Sequence, residues 1–259
     1  MHIAERFIEI IIFLWGLCIG SFLNVCIFRI PAAQSIVRPR SACPQCQTPI
    51  RFYDNIPILS YMWLKGRCRD CGQKIALRYP LVELLTGCLA WGTYFKFGLT
   101  VTGLIYFAFI AALVVITFID LDHRIIPDFI TLPGIPLFLA ASMVIPTITL
   151  LESIVGVLAG GGSLLAVAWT YKMITHKDGM GGGDIKLLAM IGALLGWQGV
   201  LLTIFVASAV GTLAGFAHMI QVRQKNMKLA IPFGPFLAIG ALVYIFWGER
   251  LIRWYIYAL

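Results

Sequence analysis

The apolar runs decide what this chain can become. Residues 7–28 are nearly all apolar, and further runs lie near 81–98, 100–119, 129–148, 150–171, 185–200, 200–220 and 230–248. A helix of about 20 such residues crosses the roughly 30 Å hydrocarbon core of a bilayer. The expected fold is therefore an all-α polytopic membrane protein with about eight transmembrane helices. Composition agrees: 60% of the residues are hydrophobic and 12% charged, against about 25% charged in soluble domains. The first run exceeds the roughly 7–15 residues of a signal-peptide core and no A-x-A pattern follows, so it reads as a retained helix. The sixth and seventh runs share "LLGWQGVLL", where Gly196 and Gly199 predict a tight turn. Gly16/Gly20, Gly156/Gly160, Gly192/Gly196 and Gly211/Gly215 have the small-xxx-small spacing that lets helices approach closely in lipid. No long internal repeat is evident.

One large polar insertion interrupts the runs. It divides the chain into a first transmembrane helix (1–29), a cytoplasmic four-cysteine segment (30–79) and a transmembrane core (80–259). Pro31, Pro39, Pro44, Pro49 and Pro57 exclude a long helix from the first half of the insertion. With the N-terminus outside and 30–79 in the cytoplasm, the loops at 120–128, 172–186 and 221–228 also face the cytoplasm. Of the 20 Lys and Arg, only Arg6, Lys96, Arg250 and Arg253 then lie outside. That is the positive-inside pattern. It accounts for the net charge of +8 without nucleic acid, and no nucleic-acid partner is expected.

Seven cysteines divide into two groups. Cys43, Cys46, Cys68 and Cys71 form "CPQC" and "CRDC", 21 residues apart. Two such knuckles supply four thiolates for a tetrahedral structural Zn2+, a closed site with no open position for catalysis. The reducing cytoplasm disfavours the alternative of two disulfides. An insertion this small has little core, so the metal would supply its folding energy. Cys18, Cys26 and Cys88 lie in apolar runs and read as small buried hydrophobes.

Two carboxylates mark one membrane edge. The third run ends "VVITFIDLDHRIIPD", with Asp120 at its cytoplasmic end, and Asp184 opens the sixth run after Gly181, Gly182 and Gly183. Ionisable groups at such places face a bundle interior or an aqueous cavity. Two carboxylates held close divide into a base toward water and an acid toward a carbonyl, the logic of aspartic proteases. The glycines would let an extended peptide approach. Asp184 also suits an N-cap, and Asp128 reads as the cap of the fourth helix. Asp122 points away from Asp120 on a continuing helix, so only one of them faces Asp184. Lys186 reads as a lipid-phosphate contact, and His123, Arg124 and His218 as interfacial or packed residues.

Taken together, "GSFLNVCIFRIP" (20–31), "RPRSACPQC" (38–46), "NIPILSYMWLKGRCRDCG" (55–72), "RYPLVELLTG" (78–87), "DLDHRIIPD" (120–128) and "GMGGGDIKLLAMIGALLG" (179–196) closely resemble the bacterial type IV prepilin peptidases, GxGD-type membrane aspartic proteases. The resemblance implies cleavage of a short basic leader from type IV prepilins and type II secretion pseudopilins at the cytoplasmic face of the inner membrane. It further implies N-methylation of the new terminus with S-adenosyl-L-methionine. It carries the catalytic pair onto Asp120 and Asp184, and settles Asp120 over Asp122, and it carries the zinc ligands onto the four cysteines. No Rossmann-type glycine fingerprint is present; the stretch around Arg51, Tyr53, Asp54 and Asn55 is a place for the methyl donor, with no roles assigned. The competing reading is a non-enzymatic ion or proton carrier with a zinc-knuckle docking segment. Expected partners are the pilin-type substrates and the lipid bilayer, and nothing in the sequence fixes an oligomeric state.

Overall fold

The computed structural model describes residues 2–176, 181–222 and 232–258. Lys177, Arg223, Lys225, Lys228 and the side chain of His218, all used in the sequence reading, lie outside the described residues. Among the described residues the structure is helical, with only two isolated antiparallel bridges. The chain divides into two compact units, Met1–Val115 and Ile116–Leu259.

The first unit is built on α1 (His2–Arg29) and α3 (Arg78–Phe97), with the start of α4 (Val101–His123). Glycines set the α1–α3 contact. A Cβ on Gly16 would stand 2.6 Å from that of Ala90, and one on Gly20 would stand 2.7 Å from the Glu83 backbone. The two helices therefore run antiparallel at the close approach that small residues allow. Trp15 on α1 meets Phe107 on α4, ring centroids 5.0 Å apart. The polar insertion contains a 3-10 turn (Phe52–Asn55) and a short helix, α2 (Leu59–Trp63). Cys26 is buried as expected, whereas Cys18 and Cys88 are exposed on the outer surfaces of α1 and α3. A small apolar thiol is no burden on a lipid-facing helix.

The second unit takes the last turns of α4, then α5 (Asp128–Ala141), α6 (Leu150–Thr175), α7 (Gly182–Val222) and α8 (Gly234–Ala258). Thr149 and Glu152 form a reciprocal capping box that fixes where α6 starts. The predicted fourth span shortens: α5 stops at Ala141, and turns lead through Pro146 to α6. At 14 residues it is about 21 Å long, short of a full crossing.

The contacts of α7 show that the chain reverses inside it. Its first half packs against α6, Gly192 on Gly156 and Leu188 on Gly160. Its second half packs against α8, with Thr203 on Gly240 and then Gly211 on Phe236, nearer the start of α8. Both α7 and α8 start at the Asp120 end of this unit, so the two halves of α7 run in opposite directions. The break is Gly196, at φ 68° and ψ −178°, a left-handed value that glycine adopts without Cβ strain. Thus "LLGWQGVLL" is the tight turn its glycines predict. Among the described residues, five helices are long and apolar enough to cross a membrane: Glu5–Arg29, Val101–His123, Leu150–Thr175, Gly182–Ala217 and Gly234–Tyr255. The fourth is this hairpin, and α3 and α5 occupy the remaining two predicted runs.

Candidate functional sites

The four cysteines of the first unit converge. Their Sγ atoms all lie within 4.8 Å of one another. Cys43 and Cys71 stand 3.7 Å apart and Cys46 and Cys68 4.0 Å apart, each pair drawn across the two knuckles. Ligands at about 2.3 Å around a tetrahedral zinc would be separated by about 3.8 Å, whereas a disulfide closes to about 2.05 Å. The cluster has the shape of a metal site.

The backbone explains the convergence. Cys43 N–H donates to Thr48 O at 3.0 Å, Gln47 N–H to Cys43 O at 2.9 Å and Ile50 N–H to Ser41 O at 2.8 Å. The same three bonds recur as Cys68 to Gln73, Gly72 to Cys68 and Ile75 to Gly66, at 2.8, 3.0 and 2.7 Å. The knuckles are a short internal repeat, "SACPQCQTPI" against "GRCRDCGQKI", visible in the sequence once the two are aligned on their cysteines. The repeat needs a left-handed residue after each second cysteine. Gly72 supplies it at φ 70° and Gln47 at φ 57°.

Hydrogen bonds from the Thr48 side chain and backbone bring the Cys46 thiol down to about 6, thiolate at neutral pH. At Cys71 a bond from Gln73 pulls the same way, but desolvation and proton sharing with Cys46, Cys68 and Cys43 push the thiol up to about 12. A bound cation relieves that competition among thiolates. The stretch considered for a methyl donor is engaged with the second knuckle. Arg69 donates to both oxygens of Asp54, at 2.8 and 2.5 Å, and lies 5.4 Å over the Tyr53 ring. Arg51 donates to the Tyr53 hydroxyl at 2.7 Å.

In the second unit, four helix ends meet at one edge: the end of α4 and the starts of α5, α7 and α8. Asp120, in the last turn of α4, is buried at 5% exposure. Its Oδ2 accepts the backbone N–H of Gly234, the first residue of α8, at 2.9 Å. A Cβ on Gly234 would stand 2.6 Å from that same oxygen, so glycine is what allows the approach. Ile126 closes the group. It lies against Gly234 on one side and Gly183, neighbour of Asp184, on the other. Asp184 is half-buried in the first turn of α7, close enough to feel the charge of Asp120. The two carboxylates, 64 residues apart in sequence, thus belong to one cluster.

Of the other polar residues at this edge, Asp122 sits as expected, whereas Asp128 and Lys186 depart from their expected roles. Asp122 is exposed, away from the cluster, on a helix that continues to His123. Arg124 ends that helix at φ 56°. Asp128 does not cap α5, whose N-cap is Pro127. Instead, its two carboxylate oxygens both accept from Lys186 Nζ at 2.7 Å. The ion pair joins the first turns of α5 and α7, a partner for Lys186 within the protein. Asp184 does not cap either, because α7 has already begun at Gly182.

Comparison with known proteins agrees with this division. Residues 14–97 match the Bacterial Peptidase A24 N-terminal domain and residues 107–216 the Type IV leader peptidase family. Proteins described as prepilin leader peptidase/N-methyltransferase are similar over nearly the whole chain. That of Aeromonas salmonicida is 38% identical, covering 95% of this chain and 93% of its own. That of Pseudomonas aeruginosa is 38% identical, covering 94% and 91%, and that of Legionella pneumophila 34% identical, covering 96% and 95%. No solved structure matches this chain.

Proposed function

Because this chain belongs to the type IV leader peptidase family, we propose that it removes the leader of type IV prepilins and pseudopilins with Asp120 and Asp184 as an aspartic dyad, and N-methylates the terminus it exposes. The observation that supports the dyad is the packing at the edge of the second unit, where Gly234 holds Asp120 and Ile126 lies against both Gly234 and Gly183, the neighbour of Asp184. In the hydrolytic step one carboxylate takes a proton from the attacking water while the other, as the acid, donates to the scissile carbonyl. The Gly234 N–H orients Asp120 and occupies one of its oxygens. Gly181 and Gly182, with open space where a side chain would stand, leave room for an extended peptide at the cleavage junction, while Gly183 admits Ile126.

The positive-inside pattern of the sequence supports placing this edge on the cytoplasmic side of the bacterial inner membrane. Zn2+ is the metal that the four-thiolate set would hold, through Cys43, Cys46, Cys68 and Cys71, in a closed structural role. S-adenosyl-L-methionine is the methyl donor this reading implies, supplying an electrophilic methyl group to the new α-amine. The carrier reading has no observation in its favour, and the related proteins carry enzyme names.

Cleavage of a prepilin by the detergent-solubilised enzyme tests the dyad. Asp120→Asn and Asp184→Asn are each expected to lower the rate by about 10⁴-fold with folding kept. Full activity in both variants would remove the dyad from the mechanism.

A further inference from the structure

The first unit holds a buried carboxylate that the dyad and the cysteine cluster do not use. Glu83, on α3, is 9% exposed. Its Oε2 accepts the backbone N–H of Ile58 at 2.8 Å, and the Ser21 side chain also bonds to it. Ile58 has φ 61° and ψ −50°. A β-branched residue at positive φ is strained, and such strain persists where the surroundings over-determine it, often at functional sites. One turn along each helix from the Ser21–Glu83 contact, Asn24 is 4% exposed and donates its Nδ2 to Tyr79 O at 3.0 Å. The Tyr79 carbonyl can only accept, which turns the amide nitrogen toward it. Asn24 Oδ1 is then left buried with no hydrogen-bond partner.

With the Asn24 amide oxygen unpaired one helical turn from a carboxylate that has only the Ile58 N–H and the Ser21 side chain as donors, acceptors outnumber donors between the two helices. Leaving such an oxygen unsatisfied costs about 1–3 kcal/mol, and the group that would satisfy both is a cation with several N–H donors. We propose that Asn24 Oδ1 and the Glu83 carboxylate seat a primary ammonium group in the methyl-transfer half of the enzyme. This rests on the proposed function, which requires two such groups, the newly exposed α-amine of the substrate and the α-amine of S-adenosylmethionine. Assignment to methyl transfer follows from the division of the chain. The aspartate pair lies in the second unit, within the stretch matching the leader peptidase family, and Glu83 and Asn24 lie in the first, within the other matched domain. Ile58, next to the Arg51–Asn55 turn, ties this seat to the cytoplasmic insertion.

The full-length enzyme in detergent tests the seat by direct binding. One arm compares a synthetic peptide bearing a free N-terminal amine with its N-acetyl twin. The other compares S-adenosylmethionine with an analogue lacking the α-amine. The wild type is expected to prefer the amine-bearing member of one pair by about tenfold or more, and that pair identifies the source of the ammonium. Glu83→Gln keeps an acceptor for the Ile58 N–H while removing the charge, and Asn24→Leu removes the free oxygen. Both are expected to abolish the preference and raise KM for the same ligand in methylation, with prepilin cleavage unchanged as the sign that the chain is folded. Absence of the preference in the wild type, or its survival in Glu83→Gln, overturns the seat. A wild type that neither cleaves nor methylates would instead refute the proposed function.

Discussion

The cysteine cluster and the aspartate cluster are assembled by opposite means. Each knuckle is closed by its own backbone, with every bond spanning a few residues, so the sulfurs are positioned locally and only the joining of the two knuckles is long-range. The carboxylates have no local scaffold. Asp120 is held by Gly234 and Asp184 is placed by the start of α7, so their spacing depends on how four separate helix ends pack. A local device can be stabilised by one bound ion, whereas a non-local one inherits every error in the surrounding helices. The first should fail all at once when its ion is removed, and the second by degrees as its packing is disturbed.

Removing the metal gives the largest expected effect. Structural zinc contributes about 10–16 kcal/mol in small zinc-dependent folds, so a strong chelator or Cys43→Ser should open residues 41–75 to protease. The expected outcome is rapid nicking of this segment while the second unit keeps its protection, read by mass spectrometry of the fragments. Resistance after complete metal removal would show that the knuckles hold themselves. Next comes Gly234→Ala, whose new methyl would collide with Asp120 Oδ2. A displacement of about 1 Å at a reacting group costs about 10²-fold, so the cleavage rate should fall by that order with metal content unchanged.

Gly192→Ala should have a smaller and more diffuse effect. Its Cβ would run into the Gly156 carbonyl across the α6–α7 contact, and overpacking of this kind costs about 1–3 kcal/mol. A lower midpoint of thermal unfolding in detergent, with residual cleavage at permissive temperature, is the expected result. The smallest effect belongs to the Asp128–Lys186 pair, which is partly exposed and so is expected to contribute about 0.2–1 kcal/mol. Lys186→Ala should slow cleavage by only a few-fold, and the exchange Asp128→Lys with Lys186→Asp should restore most of the loss. Failure of the exchange to rescue would mean that Lys186 acts on something other than Asp128.

The same contrast explains what the sequence revealed. The cysteine spacing is a local signal, and the thiols converge where it predicts a metal site. The helices follow from the lengths of the apolar runs, and the turn at Gly196 from its glycines. Asp120 and Asp184 stood out because a charge at the end of an apolar run is conspicuous, and Ile126, packed against both Gly234 and Gly183, links their surroundings into one cluster. The Asp128–Lys186 pair was misread from both ends, as a cap and as a lipid contact, because nothing in either neighbourhood points to a partner 58 residues away. The grip of Gly234 on Asp120 spans 114 residues and leaves no trace in periodicity. Glu83 did leave one. It is a lone carboxylate inside "RYPLVELLTG", as anomalous there as Asp184 is in its own run, and the same rule about charge among apolar residues would have singled it out.

The reversal at Gly196 bears on how the chain is made. Between Lys186 and the end of "LLGWQGVLLTIF" no residue carries a charge, so the turn offers the insertion machinery no topogenic cue of its own. Neither arm can be threaded and fixed independently of the other. The pair must enter the bilayer as one folded pin, taking its orientation from the basic segments synthesised before and after it. The side of the membrane on which Asp184 comes to lie is then decided during biogenesis by charges outside the apolar stretch of the hairpin.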